Sequence, residues 1–278
     1  MTISGKAKLA GVIGWPVGHS RSPRLHGYWL KHMGIDGAYI PLAVKPEDLE
    51  IVLQALPRMG FRGANLTVPH KERALALVDH VEPLAKRIGA VNTLVIRDDG
   101  SIEGRNTDAH GFIENLRHGA PHWRPEAEPA VVLGAGGAAR AVCAALVDCG
   151  VPEIRLVNRS AARAEQLAAD IGGRIEVVAW NDRNRVLAGA GLVVNATTLG
   201  MTGQPPLEID LAALPLHAVV NDIVYAPLMT DFLVAAAARG NKVVDGLGML
   251  LWQAAPGFEA WFGTRPEVTP ALRAHVLG

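Results

Sequence analysis

The chain has 278 residues, 49% of them hydrophobic, and its 27 Lys and Arg residues equal its 27 Asp and Glu residues in number. This length favours two domains, and the zero net charge disfavours binding to nucleic acid or to an anionic membrane, because both need a basic surface. The sequence shows neither the apolar core of a signal peptide nor ~18 continuous apolar residues, so it predicts a cytoplasmic protein without a membrane partner.

The first half of the chain alternates between strand and helix patterns. Apolar runs predict single strands over residues 8–14, 37–44 and 63–68. Residues 90–104 are predicted to form a pair of strands joined by an Asp-Gly turn. Apolar residues at helical spacing predict helices over residues 22–34, 45–60, 69–80 and 108–119. Ser22 is the expected N-cap of the first helix, and Pro69 is expected to open the third.

The second half has shorter strand–helix units that begin at Ala130. Residues 118–130, with three prolines and mixed charge, are predicted to cross from one domain to the other. Short Val/Leu/Ile-rich runs predict strands within 130–134, 153–158, 175–180, 190–197, 218–225 and 241–246. Runs of this kind favour a parallel sheet covered on both faces. Helices are expected between them, and again over the last 30 or so residues.

A dinucleotide-binding fingerprint lies at the start of this second half. Its spacing is Gly134-x-Gly136-x-x-Ala139, directly after a predicted strand and at the start of a predicted helix. The first glycine permits a tight turn and the second lets the backbone approach a pyrophosphate. The small third residue allows the helix to pack closely on the strand. The context therefore predicts a Rossmann-like domain.

The end of the next predicted strand indicates which dinucleotide is bound. An NAD site usually has an acidic residue there, about 20 residues after the glycines. This strand instead ends with Asn158, Arg159 and Ser160, and Arg163 follows one helical turn later. Guanidinium groups and a hydroxyl suit a 2′-phosphate, so the pattern predicts NADP. The alternative is an ordinary solvated helix start with surface arginines.

Lys71 is the candidate proton donor and acceptor of the first half. It lies in the stretch NLTVPHKE and is expected in the first turn of the helix opened by Pro69. The helix dipole would then lower its pKa slightly, which suits a general acid or base for an alcohol–ketone pair. The alternative is a surface lysine beside Glu72.

Other polar residues of the first half could bind a polyhydroxylated ring that carries an acid group. Ser20 and Ser22 lie at a loop-to-helix turn, whereas Asn92 and Asp108 lie at the ends of predicted strands. Ser22 has the competing explanation of a helix N-cap.

The chain contains the stretches GWPVGHSRSPRLH, NLTVPHK, GAVNT, GRNTD, GAGGAAR, NRS, NATTLGM, DIVYAP and DGLGMLLWQAA. In these nine stretches, which run in the family's order between residues 14 and 255, the chain resembles the shikimate dehydrogenase family. The resemblance implies an α/β fold with two domains. Residues 1–108, completed by 248–278, would form the substrate domain, and residues 109–247 would form the NADP-binding Rossmann-like domain. The active site would lie in the cleft between them.

The resemblance also implies the roles of individual residues. Lys71 and Asp108 would form the catalytic pair for the reversible NADPH-linked reduction of 3-dehydroshikimate to shikimate. The substrate would be bound by Ser20, Ser22, Thr67, Lys71, Asn92, Asp108, Tyr225 and Gln253. The cofactor would be bound by Gly134, Ala135, Gly136, Gly137, Ala138, Asn158, Arg159, Ser160, Arg163, Ile223 and Gly246.

Several alternatives remain at this point. The enzyme could be a relative with relaxed preference for quinate or NAD, or a non-catalytic NADP-binding module. Gln253 could be a core amide, and Tyr225 could be only a packed aromatic. Gly27 stands where the family commonly has Asn, so a local packing effect is expected there. The ten histidines and two cysteines show no metal-ligand spacing, so no metal is expected. The protein is expected to be a monomer or a homodimer.

Overall fold

The computed structural model describes residues 3–278. The strands of this described part are β1 (Lys8–Gly14), β2 (Gly37–Ala43), β3 (Phe61–Leu66), β4 (His80–Val81), β5 (Thr93–Ile96), β6 (Ile102–Arg105), β7 (Ala130–Leu133), β8 (Ile154–Asn158), β9 (Ile175–Ala179), β10 (Leu192–Asn195), β11 (Val219–Asp222) and β12 (Lys242–Val244). The α-helices are α1 (Ser22–His32), α2 (Leu49–Ala55), α3 (Pro83–Ile88), α4 (Asp108–Gly119), α5 (Gly137–Asp148), α6 (Ala161–Ile171), α7 (Asp231–Arg239), α8 (Leu247–Phe262) and α9 (Pro270–Leu277).

The chain divides into two compact units. The first contains the residues up to Thr107 together with Leu250–Gly278, and the second contains Asp108–Met249. Helix α8 begins in the second unit and continues into the first. The first unit is thus built from both ends of the chain.

The first unit has a mixed sheet with the strand order β2-β1-β3-β5-β6-β4. Strand β1 runs parallel to β2 and β3, whereas β5 runs antiparallel to β3 and β6. The carboxyl ends of β1 and β3 and the amino end of β5 therefore lie at the same edge of the sheet. Apolar side chains such as Ile13, Leu53 and Leu94 form its core, whose burial supplies the main free energy of folding.

The second unit has an entirely parallel sheet with the strand order β12-β11-β10-β7-β8-β9. Strands β7 and β10 are buried along their whole length, as expected for a parallel sheet covered on both faces. The predicted parallel sheet is confirmed. Because all six strands point the same way, the segments that follow them lie at one carboxyl edge, where α/β folds bind their ligands.

The proline-rich stretch 118–130 does not cross between the units, contrary to the prediction. It joins α4 to β7 inside the second unit. Helix α4 belongs there because it packs against α5 and β12, and the Cα of its last residue, Gly119, faces Val244.

Two local predictions for the first unit are also wrong. Ser22 is not the N-cap of α1 but its first residue, since Arg21 holds the cap position without a side-chain hydrogen bond. Residues 69–80 do not form an α-helix, and only Arg73–Ala76 make one 3₁₀ turn. The Lys71 carbonyl accepts a hydrogen bond from the Val91 N–H at 2.8 Å, which ties this segment to a distant part of the chain.

Candidate active site

Two serines lie beside each other in the loop that follows β1. The Ser20 N–H donates to the Val17 carbonyl at 3.0 Å, and the Ser22 N–H donates to the Ser20 hydroxyl oxygen at 3.3 Å. Ser20 is half-buried, whereas Ser22 is buried. Two hydroxyls in one tight turn can donate to both oxygens of a carboxylate.

The Ser22 side chain is hydrogen-bonded to Tyr39 of β2. Burial raises the pKa of Tyr39 well above its ordinary value, and a hydrogen bond with the Ser22 side chain acts against that rise. The Tyr39 hydroxyl also donates to Asn65 Oδ1 at 2.6 Å. The ring of Tyr39 stacks on His26, with the ring centroids 3.9 Å apart. Tyr39 therefore fixes Ser22 through a buried and fully packed ring.

The same network continues to Asn92. Asn65 Nδ2 donates to the Asn92 carbonyl and to the Thr93 hydroxyl, both at 3.1 Å. The Thr93 hydroxyl in turn donates to Asn92 Oδ1 at 2.9 Å. Asn92 is only 2% exposed, so each of its polar groups needs a protein or ligand partner.

Gln253 of α8 reaches Asn92 from 161 residues away in the chain. Asn92 Nδ2 and the Thr107 hydroxyl each donate to Gln253 Oε1 at 3.3 Å, and Thr107 N–H donates to Asn92 Oδ1 at 2.8 Å. Gln253 Nε2 bonds the Leu250 carbonyl at 3.1 Å. Gln253 is a satisfied amide, and one of its partners is Asn92, which is itself predicted to bind the ring hydroxyls.

Thr67 and Lys71 complete the polar group of the first unit. Thr67 follows β3, where its N–H donates to the Ile13 carbonyl at 2.9 Å and its methyl group packs on Gly14. Lys71 is half-buried, and no α-helix surrounds it, so the expected helix dipole does not act on its ammonium group. His70 is buried and bonds the Val44 carbonyl at 2.9 Å, so its role is structural.

The first unit therefore collects its predicted site residues at one edge of its sheet. Strands β1 and β3 end there and β5 begins there, so the segments around Ser20, Thr67 and Asn92 lie at that edge. At Gly27, by contrast, an added Cβ would meet no atom within 4 Å. A Cβ at this position would therefore not be excluded by space, and the expected packing effect stays a prediction.

The glycine loop of the second unit has the geometry that its spacing predicts. Gly134 has φ +107°, and its missing Cβ would lie 3.0 Å from the Ala196 carbonyl oxygen. A side chain is thus disfavoured by conformation and by space. Gly136 caps α5 in an extended conformation, and added Cβ atoms at Gly136 and Gly137 would meet nothing within 4 Å. Ala139 is fully buried. The loop is open where a pyrophosphate would bind and closed where the helix packs.

The polar residues that follow β8 are exposed. Arg159, Ser160 and Arg163 face solvent, and no carboxylate of residues 3–278 lies within ion-pair distance of either arginine. Ser160 caps α6 by accepting from the Arg163 N–H at 3.5 Å, and Asn158 Nδ2 donates to the Ser160 carbonyl at 2.9 Å. This leaves two unpaired cations and the Ser160 O–H for an anionic group.

Ile223 and Gly246 are neighbours at the ends of β11 and β12. A Cβ at Gly246 would overlap the Ile223 carbonyl, so only glycine fits there. Tyr225 follows β11 and is half-buried. Asp108 is the first residue of α4 and is buried, and a carboxylate at a helix N-terminus is electrostatically favoured.

Sequence reasoning missed a second buried cluster, centred on Asp222. Asn195 Nδ2 and the Val224 N–H donate to Asp222 Oδ1 at 3.0 Å each, and the Thr230 hydroxyl donates to Oδ2 at 2.7 Å. Burial raises the pKa of Asp222 above its ordinary value. This carboxyl holds the segments that follow β10 and β11, which include Ile223 and Tyr225. The only feature of the sequence that pointed to Asp222 was its position in the stretch DIVYAP.

Sequence reasoning also missed the part that four residues take in the buried network of the first unit: Tyr39, Asn65, Thr93 and Thr107. The sequence places them in strands or motifs but gives them no role of their own. Polar residues inside otherwise apolar strands were the available signal, because such residues need buried partners.

Two further findings concern residues 3–278 as a whole. None of their helices is long and apolar enough to cross a membrane. They contain no group of three or more His, Cys, Asp or Glu residues that could hold a metal ion.

The chain is similar to known proteins along most of its length. Three family models match: "Shikimate dehydrogenase substrate binding domain" at residues 12–94, "Shikimate / quinate 5-dehydrogenase" at residues 123–201, and "Shikimate 5'-dehydrogenase C-terminal domain" at residues 246–274. A shikimate dehydrogenase (NADP(+)) of Paramagnetospirillum magneticum is 70% identical over 99% of this chain and 100% of its own. The chain belongs to the shikimate dehydrogenase family.

Other members of the family show the same agreement. A shikimate dehydrogenase (NADP(+)) of Rhodospirillum rubrum is 60% identical over 99% of both chains. Among solved structures, shikimate 5-dehydrogenase of Thermus thermophilus in complex with NADP(H) and shikimate has 40% identity and a TM-score of 0.86, covering 97% of this chain and 98% of that one. Quinate dehydrogenase of Corynebacterium glutamicum in complex with NAD has 34% identity and a TM-score of 0.91, covering 98% and 99%. The predicted family and two-sheet α/β fold are confirmed.

Proposed function

We propose that this protein is an NADP-dependent shikimate dehydrogenase, which catalyses the reversible reduction of 3-dehydroshikimate to shikimate. The observation that carries the proposal is the polar edge of the first unit, where Ser22, Asn92 and Gln253 lie in one buried network. The relatives that share this chain over nearly its whole length carry the same name.

The domain roles follow from this proposal. Residues 1–108 with 248–278 form the substrate domain, and residues 109–247 form the NADP-binding domain. The hydroxyls of Ser20 and Ser22 donate to the substrate carboxylate. Thr67, Asn92, Asp108 and Gln253 bind the ring hydroxyls, with Tyr225 nearby. Hydroxyl and amide groups can each donate and accept, which suits a ring with several hydroxyls.

Lys71 moves the proton of the reaction. In the reductive direction its ammonium group donates a proton to the C3 carbonyl oxygen, and in the oxidative direction the neutral amine accepts the proton from the C3 hydroxyl. Asp108 is the acidic member of this catalytic pair. NADPH, when bound, supplies the hydride that adds to C3.

The second unit holds the cofactor through two kinds of contact. The backbone of residues 134–138 and the N-terminus of α5 face the pyrophosphate. Arg159, Ser160 and Arg163 bind the 2′-phosphate, with Asn158 shaping the turn. Ile223 and Gly246 line the nicotinamide side.

A quinate dehydrogenase with NAD is the second candidate, because the solved neighbour with that activity has the same fold over nearly the whole chain. The absence of an acidic residue among Asn158, Arg159 and Ser160 argues against NAD. A non-catalytic NADP-binding module is disfavoured because Lys71 and Asp108 are both present.

Initial rates with shikimate or quinate, each combined with NADP or NAD, test the proposal. Turnover with shikimate and NADP alone is expected. Comparable rates with quinate or NAD would overturn the specificity, and no turnover with any pair would favour the binding module. Gel filtration of the same preparation separates a monomer from a homodimer, the two expected states. We further expect the protein to act in the cytoplasm, without nucleic acid or membrane partners.

A further inference from the structure

A cavity of about 240 Å³ lies at the carboxyl edge of the second unit's sheet. It is bounded by the segments that follow β8, β9 and β10. Asn158, at the end of β8, is paired in register with Ala179, at the end of β9. Arg159 and Trp180 are therefore the next residues on two adjacent strands, at the edge where this fold class binds ligands.

The walls of the cavity differ in chemistry. Trp180, Leu199, Pro205 and Pro206 form an apolar surface, whereas Arg159 and Arg183 bring two guanidinium groups. Apolar walls suit a flat heteroaromatic base, and arginine suits a phosphate. A base joined to a phosphate-bearing ribose combines these two requirements.

Arg183 is held in a fixed position. Its Nε donates to the Glu208 carbonyl at 2.8 Å and its Nη1 to the Trp180 carbonyl at 3.0 Å. The guanidinium carbon lies 5.2 Å from the centroid of the Trp180 ring. Two of five N–H groups are used in this way, so three remain for a ligand.

The charge of Arg183 is not neutralised by the protein. Within residues 3–278 no carboxylate lies at ion-pair distance from it, including that of Glu208, although Arg185 two residues later contacts Asp182 at 3.6 Å. A half-buried cation without a counter-ion gains free energy when an anion enters the cavity.

We propose that Arg183, held over Trp180, is a further residue that gives specificity for NADP. Arg183 and Arg159 together bind the 2′-phosphate at the adenosine end of the cofactor. This inference rests on the proposed function. Arg159 is exposed, so binding must fix its side chain, whereas Arg183 is already held by two hydrogen bonds and loses less entropy on binding. NAD lacks the 2′-phosphate and leaves the Arg183 cation unpaired.

The test measures binding of adenosine 2′,5′-bisphosphate and of 5′-AMP to the full-length protein by calorimetry, since these probes differ only in the 2′-phosphate. Arg183→Gln is expected to weaken the bisphosphate about tenfold and 5′-AMP by less than about twofold, because one charge-assisted contact is lost. Arg183→Lys keeps the charge without the forked geometry, so an intermediate loss is expected.

Arg185→Gln is the matched control. It removes the same charge two positions away, but Arg185 is 81% exposed and does not line the cavity. It is expected to leave both affinities unchanged.

Four outcomes would overturn the inference. Equal losses for both probes with Arg183→Gln would assign Arg183 a structural role, and no loss would remove it from the site. If Arg159→Gln weakens the bisphosphate selectively and Arg183→Gln does not, the inference fails while the proposed NADP site stands. If the unchanged protein binds both probes equally, the proposed NADP preference fails with it.

Discussion

The two proposed binding surfaces of this protein are built on opposite principles. In the first unit, Ser22, Asn92 and Gln253 are buried, uncharged and bonded to one another or to residues such as Tyr39. In the second unit, Arg159 and Arg163 are exposed, charged and without an acidic partner among the described residues. On the proposed roles, the groups of the first surface are ordered before a substrate binds, whereas the charges of the second surface would be neutralised only by a bound anion.

This difference has a physical reason. A buried polar group is stable only when it is hydrogen-bonded, so the substrate side must be satisfied internally before it can bind a neutral ring. An exposed arginine is solvated in the free protein and needs no partner there. We therefore expect substitutions in the buried network of the first unit to affect stability and binding together, and substitutions at the arginines to affect binding alone.

The largest effect is expected at Lys71, the one cation of the predicted substrate site. Lys71→Met should lower kcat by about a hundredfold or more with KM for shikimate little changed, because proton transfer is lost and the binding groups remain. Lys86→Met, which removes an exposed lysine of α3, is the control in the same kinetic assay. An active Lys71→Met enzyme would contradict the proton-transfer role.

Arg159→Ala tests the charged surface. It should raise KM for NADP by about 10- to 100-fold and change KM for NAD far less, since a contact to a charged group is worth about 1.5–3 kcal/mol. Arg174→Ala is a suitable control because Arg174 is 77% exposed and bonds Glu153. Equal losses for both cofactors would show that Arg159 does not recognise the 2′-phosphate.

Tyr39→Phe tests the buried surface. Loss of the hydroxyl leaves Asn65 Oδ1 and Ser22 short of a partner, so the free energy of unfolding should fall by about 1–3 kcal/mol. KM for shikimate should rise as well, because Ser22 loses its orientation. Urea unfolding and initial rates measure the two effects.

Tyr28→Phe serves as the control for Tyr39→Phe, since Tyr28 is only half-buried and stacks on His32. A loss of stability in Tyr39→Phe without any change in KM would separate Tyr39 from substrate binding.

The smallest effect concerns the pH dependence of stability at Asp222. Its raised pKa means that the folded state binds this proton more tightly than the unfolded state. Its contribution to stability is thus fully present below the unfolded pKa of about 3.9 and is lost as the pH rises through the folded pKa.

Asp222→Asn removes this titration while keeping an oxygen for Asn195 and Val224. The stability of the unchanged protein relative to the variant should therefore fall as the pH rises above about 4, as urea unfolding would measure, with Asp98→Asn as an exposed control. A difference that stays constant with pH would contradict the assignment.

The sequence by itself determined the parts of this protein that depend on local steric and charge requirements. Gly134 needs a positive φ, Ala139 must be small, and the strand end at Arg159 lacks an acid, so the Rossmann-like unit and its cofactor followed from residue type and spacing. Lys71 was found through its motif, although the helix predicted around it is absent, because the Val91 N–H bonds its carbonyl and draws the segment away from a helix.

Only the tertiary structure decided which distant residues complete each surface. Gln253 meets Asn92 across 161 positions, and Ser22 turns from an expected helix cap into a partner of Tyr39. Arg183 lies beside Arg159 only because β8 and β9 are adjacent and end in register. Contacts of this kind depend on how strands are ordered in a sheet, and strand order is set by packing of the whole chain.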